Sequence, residues 1–89
     1  MKIKLELFGA SRDFSNKDHL EIEVQDKASI NDLRNEIIKH VDKNFSGNEN
    51  FIKVVKSSAF CSENNEIISD NYKITKDQKI AIIPPIGGG

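Results

Sequence analysis

The chain ends with the sequence KIAIIPPIGGG, residues 79–89, and this stretch decides how the fold is built. The compact β-branched run Lys79–Ile83 is typical of a strand that is buried on both faces. Pro84 and Pro85 end that strand, because proline has no N–H to donate to a β-ladder. We therefore predict a central strand that leads directly into a short tail of residues 86–89.

Two further strands are indicated towards the amino terminus, where apolar and polar residues alternate with the period of a half-buried strand. The first run covers residues 2–8, and the second is centred on residues 20–24. Their inward-facing residues are Ile3, Leu5, Leu7, Leu20, Ile22 and Val24. Residues 9–19 are too many for a two-residue hairpin turn, so we expect an antiparallel pair joined by a longer loop.

Beyond residue 28 the apolar period changes to that of a helix. The apolar stripe consists of Ile30, Leu33, Ile37, Ile38 and Val41. Ser29 precedes this stripe and is a candidate N-cap, since its hydroxyl can accept a hydrogen bond from an otherwise unpaired backbone N–H. We therefore predict a helix from Ser29 to about Val41.

The remaining apolar segments complete the predicted order of strand, strand, helix, strand, short strand, strand. Phe51–Phe60 is interpreted as the third strand and Glu66–Ile68 as the short one. One main helix packed across one mixed sheet buries these faces, with the first and last strands as parallel neighbours at the centre. This is an α+β fold of the β-grasp, ubiquitin-like class, with a domain at residues 1–85 and a flexible glycine tail at residues 86–89.

Size and charge exclude several classes of function. The 89 residues allow a single domain, and a formal net charge of −1 gives no electrostatic reason to bind nucleic acid or an anionic membrane. The longest apolar run, Ile80–Ile83, is too short to span a bilayer. The single cysteine, Cys61, cannot form an intrachain disulfide. We expect a cytoplasmic protein that has neither nucleic acid nor a membrane as partner.

Side chains that could catalyse a reaction are scarce. The sequence has no nucleophile elbow, no phosphate-binding glycine loop before a helix and no Cys/His spacing of a metal site. His19 and His40 are expected to be solvated, and Cys61 to be a small residue at a strand end, with a reactive thiol as the less favoured alternative. We therefore expect no bound metal or cofactor.

The carboxyl terminus is the exception. Gly87, Gly88 and Gly89 have no side chains, so a tail that begins at Ile86 could enter a channel too narrow for a Cβ. Four extended residues span about 13 Å. The terminal carboxylate is a group that an enzyme can activate by adenylation. The alternative is a frayed terminus without function.

Phe8 is the second unusual feature, because it lies on the polar side of the first predicted strand. If the first and last strands pair, Phe8 and Ile83 can both face outward near the base of the tail. An exposed apolar patch at that place would be typical of a partner site. In the alternative, Phe8 begins the loop and folds back into the core, and the pattern leaves both open.

These residues resemble the small subunit of molybdopterin synthase, a ubiquitin-like sulfur carrier. The similarity covers nearly the whole chain, beginning with the strand at residues 2–8, the small residues after it and Arg12-Asp13. It continues through the capped helix to the last strand. The ending Pro84-Pro85-x-x-Gly88-Gly89 is its most specific part.

The resemblance implies a non-catalytic carrier. Gly89 would bear first an acyl-adenylate and then a thiocarboxylate, both made by an adenylating and sulfurating enzyme. The residues that the resemblance places at tail entry into a partner are Pro84, Pro85, Ile86, Gly87 and Gly88. Those that it places at the partner interface are Phe8, Ile83 and Arg12. The implied main partner is the large subunit of molybdopterin synthase, in a heterotetramer that makes the dithiolene of the molybdenum cofactor.

Three other functions remain open at this point. A ubiquitin-like modifier would use Gly89 to form isopeptide bonds with lysines. A sulfur carrier for thiazole or cysteine synthesis would use the same tail, although the Pro-Pro ending fits these carriers less well. A plain interaction module would not use the tail.

Overall fold

The computed structural model describes residues 1–85. The strands in this range are β1 (Lys2–Leu7), β2 (His19–Glu23), β3 (Ala28–Ser29), β4 (Ala59–Cys61), β5 (Ile67–Ile68), β6 (Lys73–Ile74) and β7 (Gln78–Ile83). The helices are α1 (Ile30–Asn44), α2 (Glu49–Ser57) and a 3₁₀ helix (Gly9–Phe14). In the part of the chain that is described, no helix is long and apolar enough to cross a membrane.

Five of the strands form one mixed sheet in the order β2-β1-β7-β4-β5. The central pair, β1 and β7, is parallel, and Leu5 lies opposite Ile80. β2 is antiparallel to β1, and β4 is antiparallel to β7. β3 and β6 form a separate two-stranded ladder beside the start of α1. The predicted α+β class, with the first and last strands parallel at the centre, is therefore confirmed.

Helix α1 packs one side of this sheet, and its start is fixed by a reciprocal cap. The amide of Asp32 donates to Ser29 Oγ over 3.0 Å, and the amide of Ser29 donates to Asp32 Oδ2 over 2.9 Å. These bonds from Ser29 lower the pKa of the Asp32 carboxyl, because they favour its charged form. The stripe residues with no exposed surface are Ile30, Leu33, Ile37 and Val41. The predicted helix and its cap are confirmed, and the helix continues to Asn44.

The strand predicted over Phe51–Phe60 is wrong. Most of that segment is helix α2, and only Ala59–Cys61 is extended. Asn48 begins the helix, since its side-chain oxygen accepts hydrogen bonds from the amides of Asn50 and Phe51. The Phe51 ring packs 5.2 Å from that of Phe14 and 5.1 Å from that of Phe45, which holds α2 against the rest of the fold.

Arg34 ties the end of α2 to α1. Its guanidinium donates hydrogen bonds to the carbonyls of Val55 (2.7 Å) and Ser58 (2.8 Å), and to Asp70 Oδ1 (2.7 Å). It also lies 4.8 Å from the centre of the Phe60 ring. One side chain thus donates to carbonyls at the end of α2, where few backbone amides are available as partners.

The expectation that the last strand is buried on both faces is also wrong. Ile80 and Ile82 are completely buried on the side that faces α1, whereas Ala81 and Ile83 on the other side are only half-buried. The reason is that both helices lie on one side of the sheet. The opposite side, called here the outer face, is therefore partly open at its centre.

Candidate functional site

The end of β7 sets the position of Pro84 and Pro85, which we call the tail base. Pro84 directly follows Ile83 and is buried, whereas Pro85 is exposed. The predictions of a flexible tail, of tail entry and of terminal activation depend on Ile86, Gly87, Gly88 and Gly89. These four residues lie outside the described residues. Those predictions stay predictions.

Phe8 and Ile83 lie side by side on the outer face. Leu7 pairs with Ile82 across the parallel β1–β7 ladder. The residues that follow this pair, Phe8 and Ile83, are therefore neighbours. Phe8 is 46% exposed, and the alternative in which it folds into the core is wrong. Ala59, which pairs with Ile83 from β4, extends the apolar surface. We call Phe8, Ile83 and Ala59 the tail-base patch.

A groove of about 290 Å³ runs from the tail-base patch along the outer face. Its apolar end is formed by Phe8, Ile83 and Ala81, and Cys61 lies in the middle, opposite Ala81 in the β4–β7 ladder. Cys61 is half-buried and is not part of a disulfide.

The far end of the groove is ionic. Lys79 Nζ lies 3.2 Å from Glu6 Oε1, and the backbone amide of Lys79 donates to Glu63 Oε1 over 2.9 Å. Glu6 and Lys79 are partly exposed, so this ion pair contributes little to stability. The groove thus changes from apolar at the tail base to charged away from it, which gives a docking partner a direction as well as an apolar contact.

The 3₁₀ helix Gly9–Phe14 joins the tail-base patch to the tail base. Gly9 has a φ of +56°, a conformation that favours glycine, and lies against Pro84, where a Cβ would come 3.8 Å from Pro84 Cγ. Arg12 is exposed on this helix, four residues after Phe8. All three predicted interface residues, Phe8, Ile83 and Arg12, thus lie on the end of β7 or on the segment from Phe8 to Phe14, whose Gly9 contacts Pro84.

Sequence reasoning missed the part that Gly9 and Ser11 play in this arrangement. Both lie in a segment that was predicted only as a long loop. The buried Ser11 hydroxyl makes two hydrogen bonds to the backbone of Phe8, and Gly9 adopts the turn that leads into the helix. A glycine and small residues after a strand signal a turn, but they do not indicate a contact with a proline that lies far away in sequence.

Both histidines lie away from the groove, and they are less solvated than the sequence predicts. Each is half-buried. His19 bonds to the carboxylate of Asp18 over 3.0 Å, and this bond lowers the pKa of Asp18. His40 Nε2 lies 3.4 Å from the carbonyl oxygen of Phe14. Within residues 1–85, no three His, Cys, Asp or Glu side chains are grouped closely enough to hold a metal ion.

Comparison with protein-family models gives one match, the ThiS family, over residues 5–89. This span begins within β1 and includes all the later strands of the described residues and the glycines at 87–89. A search of curated proteins found no match.

Several solved structures share the fold. One is a candidate molybdopterin converting factor, subunit 1, from Pyrococcus furiosus, with 23% identity over 96% of this chain and 98% of that chain and a TM-score of 0.69. Another is SAMP1 from Haloferax volcanii, with 14% identity over 100% of both chains and a TM-score of 0.68. A third is the Caldiarchaeum subterraneum ubiquitin, with 17% identity over 100% of this chain and 98% of that chain and a TM-score of 0.62. At these identities the similarity shows the ubiquitin-like β-grasp fold alone.

Proposed function

The chain belongs to the ThiS family of ubiquitin-like sulfur carriers, and we propose that it is the small subunit of molybdopterin synthase. In this role it delivers sulfur as a thiocarboxylate on Gly89. The observation that carries the proposal is the position of the tail-base patch, which lies exposed beside the Pro84-Pro85 exit of the central strand. A partner that contacts Phe8 and Ile83 is thereby placed next to the residue from which the tail departs.

The chemistry begins with a carboxylate, which is a poor electrophile. An activating enzyme joins the Gly89 carboxylate to the α-phosphate of ATP and releases pyrophosphate. The outer sulfur of a persulfide donor then attacks the acyl carbon and displaces AMP. A thiol reduces the S–S bond of the acyl disulfide so formed, which leaves a thiocarboxylate at Gly89. Held on the protein, this nucleophilic sulfur reaches its acceptor in a fixed orientation and without free sulfide.

The chain's own residues contribute recognition and direction to this sequence of steps. Pro84 is packed against Gly9, and Pro85 fixes its own φ and restricts the conformation of Pro84 before it, so the last two described residues form a stiff end to the domain. Phe8 and Ile83 give partners an apolar contact, and Arg12 offers a charged contact beside it. Binding ATP and making the adenylate are tasks of the activating enzyme.

The large subunit of molybdopterin synthase is the proposed second partner. It would take the thiocarboxylated tail into its active site, where the sulfur passes to cyclic pyranopterin monophosphate. The dithiolene of the product contains two sulfurs, so two carriers in a heterotetramer account for both. The name of the Pyrococcus furiosus neighbour agrees with this assignment.

A protein modifier is the second candidate, and it is favoured by the neighbours that are named as modifiers. SAMP1 is described as small archaeal modifier protein 1, and another neighbour is a ubiquitin. A modifier would use the same Gly89 adenylate, but a lysine amine would displace AMP and form an isopeptide bond. Sulfur carriers for thiazole or cysteine synthesis would share the thiocarboxylate and differ only in the acceptor.

Intact-mass spectrometry separates a sulfur carrier from a protein modifier. The protein is incubated with its activating enzyme, ATP and a sulfur donor, and then with a lysate as a source of lysine acceptors. We expect a mass gain that equals the exchange of one oxygen for sulfur, located on Gly89 by fragmentation. A variant that lacks Gly89 is the matched control and should show no gain. Conjugates on lysines without the sulfur exchange would support the modifier instead.

A further inference from the structure

We propose that Ser11 is a positioning residue for partner docking, because its buried hydroxyl holds the junction between the tail-base patch and the tail base. The inference rests on the proposed function, in which an adenylating enzyme recognises this surface. Ser11 itself touches neither ATP nor the tail carboxylate and acts through Phe8.

The Ser11 hydroxyl both donates and accepts a hydrogen bond within the fold. Its Oγ accepts a hydrogen bond from the Phe8 amide (3.0 Å) and donates one to the Phe8 carbonyl (2.6 Å). The Ser11 amide donates to the same carbonyl over 3.2 Å. The side chain has no exposed surface. Three hydrogen bonds therefore fix the backbone of Phe8, a residue whose own side chain is 46% exposed.

The same turn connects Phe8 to the end of β7. Gly9 follows Phe8 with a φ of +56° and lies against the Pro84 ring. Arg12 comes directly after Ser11 on the 3₁₀ helix. Ser11 thus controls the backbone that presents Phe8 and Arg12 and that supports Pro84. An exposed aromatic side chain such as Phe8 has few packing contacts of its own, so its direction depends on this backbone.

Loss of the hydroxyl should reduce recognition and leave the chemical step unchanged. In Ser11→Ala the Phe8 amide loses its partner, and the loop can adopt conformations in which Phe8 no longer faces the groove. A partner then binds only the molecules in which Phe8 still faces the groove. The apparent affinity falls in proportion to that fraction. Once the variant is bound to the activating enzyme, its Gly89 carboxylate reacts as that of the wild type does. An interaction lost equally from ground and transition states raises KM and leaves kcat unchanged.

The test is steady-state pyrophosphate release by the activating enzyme, with the carrier as the varied substrate. We expect Ser11→Ala to raise KM about tenfold with kcat within about twofold of the wild type. Ser11→Thr keeps the hydroxyl and should restore KM. Ser29→Ala is the matched control, since the Ser29 hydroxyl also accepts a hydrogen bond from a backbone amide, that of Asp32, but at the start of α1. It should lower the Tm and leave KM unchanged.

A double variant tests whether Ser11 acts through Phe8. If it does, Phe8→Ala/Ser11→Ala should have a KM close to that of Phe8→Ala alone, because the group that Ser11 positions is already absent. Additive effects of the two substitutions, or a wild-type KM in Ser11→Ala, would overturn the inference while the proposed function stands. If the wild-type protein is not adenylated at all, the proposed function fails and the inference fails with it.

Discussion

The two sides of strand β7 differ although they belong to the same six residues. On the inner side Ile80 and Ile82 have no exposed surface and complete the core beneath α1. On the outer side Ala81 and Ile83 are half-buried and line a groove together with Phe8. The comparison teaches that alternate residues of one strand can carry stability and recognition separately. Substitutions on the inner side should therefore reduce stability, whereas those on the outer side should reduce partner binding.

The largest loss of stability is expected from Ile82→Ala. Ile82 is fully buried between Leu7 and Phe60 in the sheet, so its truncation removes apolar contacts and leaves a cavity. We expect the free energy of unfolding to fall by about 3 kcal/mol, measured by urea denaturation. Ile83→Ala is the matched control on the outer side and should cost less than about 1 kcal/mol. Equal losses in both variants would contradict the separation of the two sides.

The next largest effect is expected from Arg34→Met, which keeps most of the side-chain volume and removes the guanidinium. The Ser58 carbonyl would lose the guanidinium, and the Val55 carbonyl would keep only the longer bond from the Ser58 amide (3.4 Å), so we expect a loss of about 2 kcal/mol. Arg12→Met is the matched control, because Arg12 is exposed on the 3₁₀ helix. It should leave the urea midpoint nearly unchanged and weaken partner binding. A stable Arg34→Met variant would show that α2 is held by its aromatic contacts alone.

A smaller and pH-dependent effect is expected at the cap of α1. The hydrogen bonds from Ser29 lower the pKa of Asp32 in the folded protein, so the unfolded chain binds this proton more tightly. The stabilisation by Asp32 is therefore present above the ordinary carboxyl pKa and is lost as the pH falls through the lowered folded value. We expect unfolding free energies of the wild type and Asp32→Asn to differ at neutral pH and to converge in acid. A difference that grows in acid would contradict the sign.

The smallest effect on stability, with a large one on binding, is expected from Phe8→Ala. Phe8 is 46% exposed, so its truncation should change the unfolding free energy by less than about 1 kcal/mol. Binding to the large subunit or the activating enzyme, measured by calorimetry, should weaken at least about tenfold. Tyr72→Ala is the matched control, since Tyr72 is 40% exposed and lies before β6. Equal affinities of the two variants would remove the tail-base patch from recognition.

The sheet and main helix were predictable from the sequence because their signals are local and periodic. The alternation through Ile3, Leu5 and Leu7 specified a strand face, and Ser29 with the stripe after it specified α1. Recognition of Pro84-Pro85 as the end of the last strand identified the tail base. The position of Phe8 beside Ile83 followed from pairing the first strand with the last.

The errors came from segments in which the deciding contact is not local. Phe51–Phe60 contains Ile52, Val54 and Val55, whose β-branched side chains favour a strand by propensity. Packing of Phe51 against Phe14 and Phe45, and the Arg34 hydrogen bonds to the end of α2, stabilise a helix there instead. The outer side of β7 was predicted as buried, because an apolar strand does not reveal that both helices lie on one side.

Sulfur transfer to the cofactor precursor tests the central claim most directly. The thiocarboxylated protein is mixed with the large subunit of molybdopterin synthase and cyclic pyranopterin monophosphate, and its intact mass is followed with time. We predict that the carrier returns to its unmodified mass as molybdopterin forms, with one carrier consumed for each dithiolene sulfur. A carrier that keeps its sulfur in the presence of an active large subunit would contradict the account.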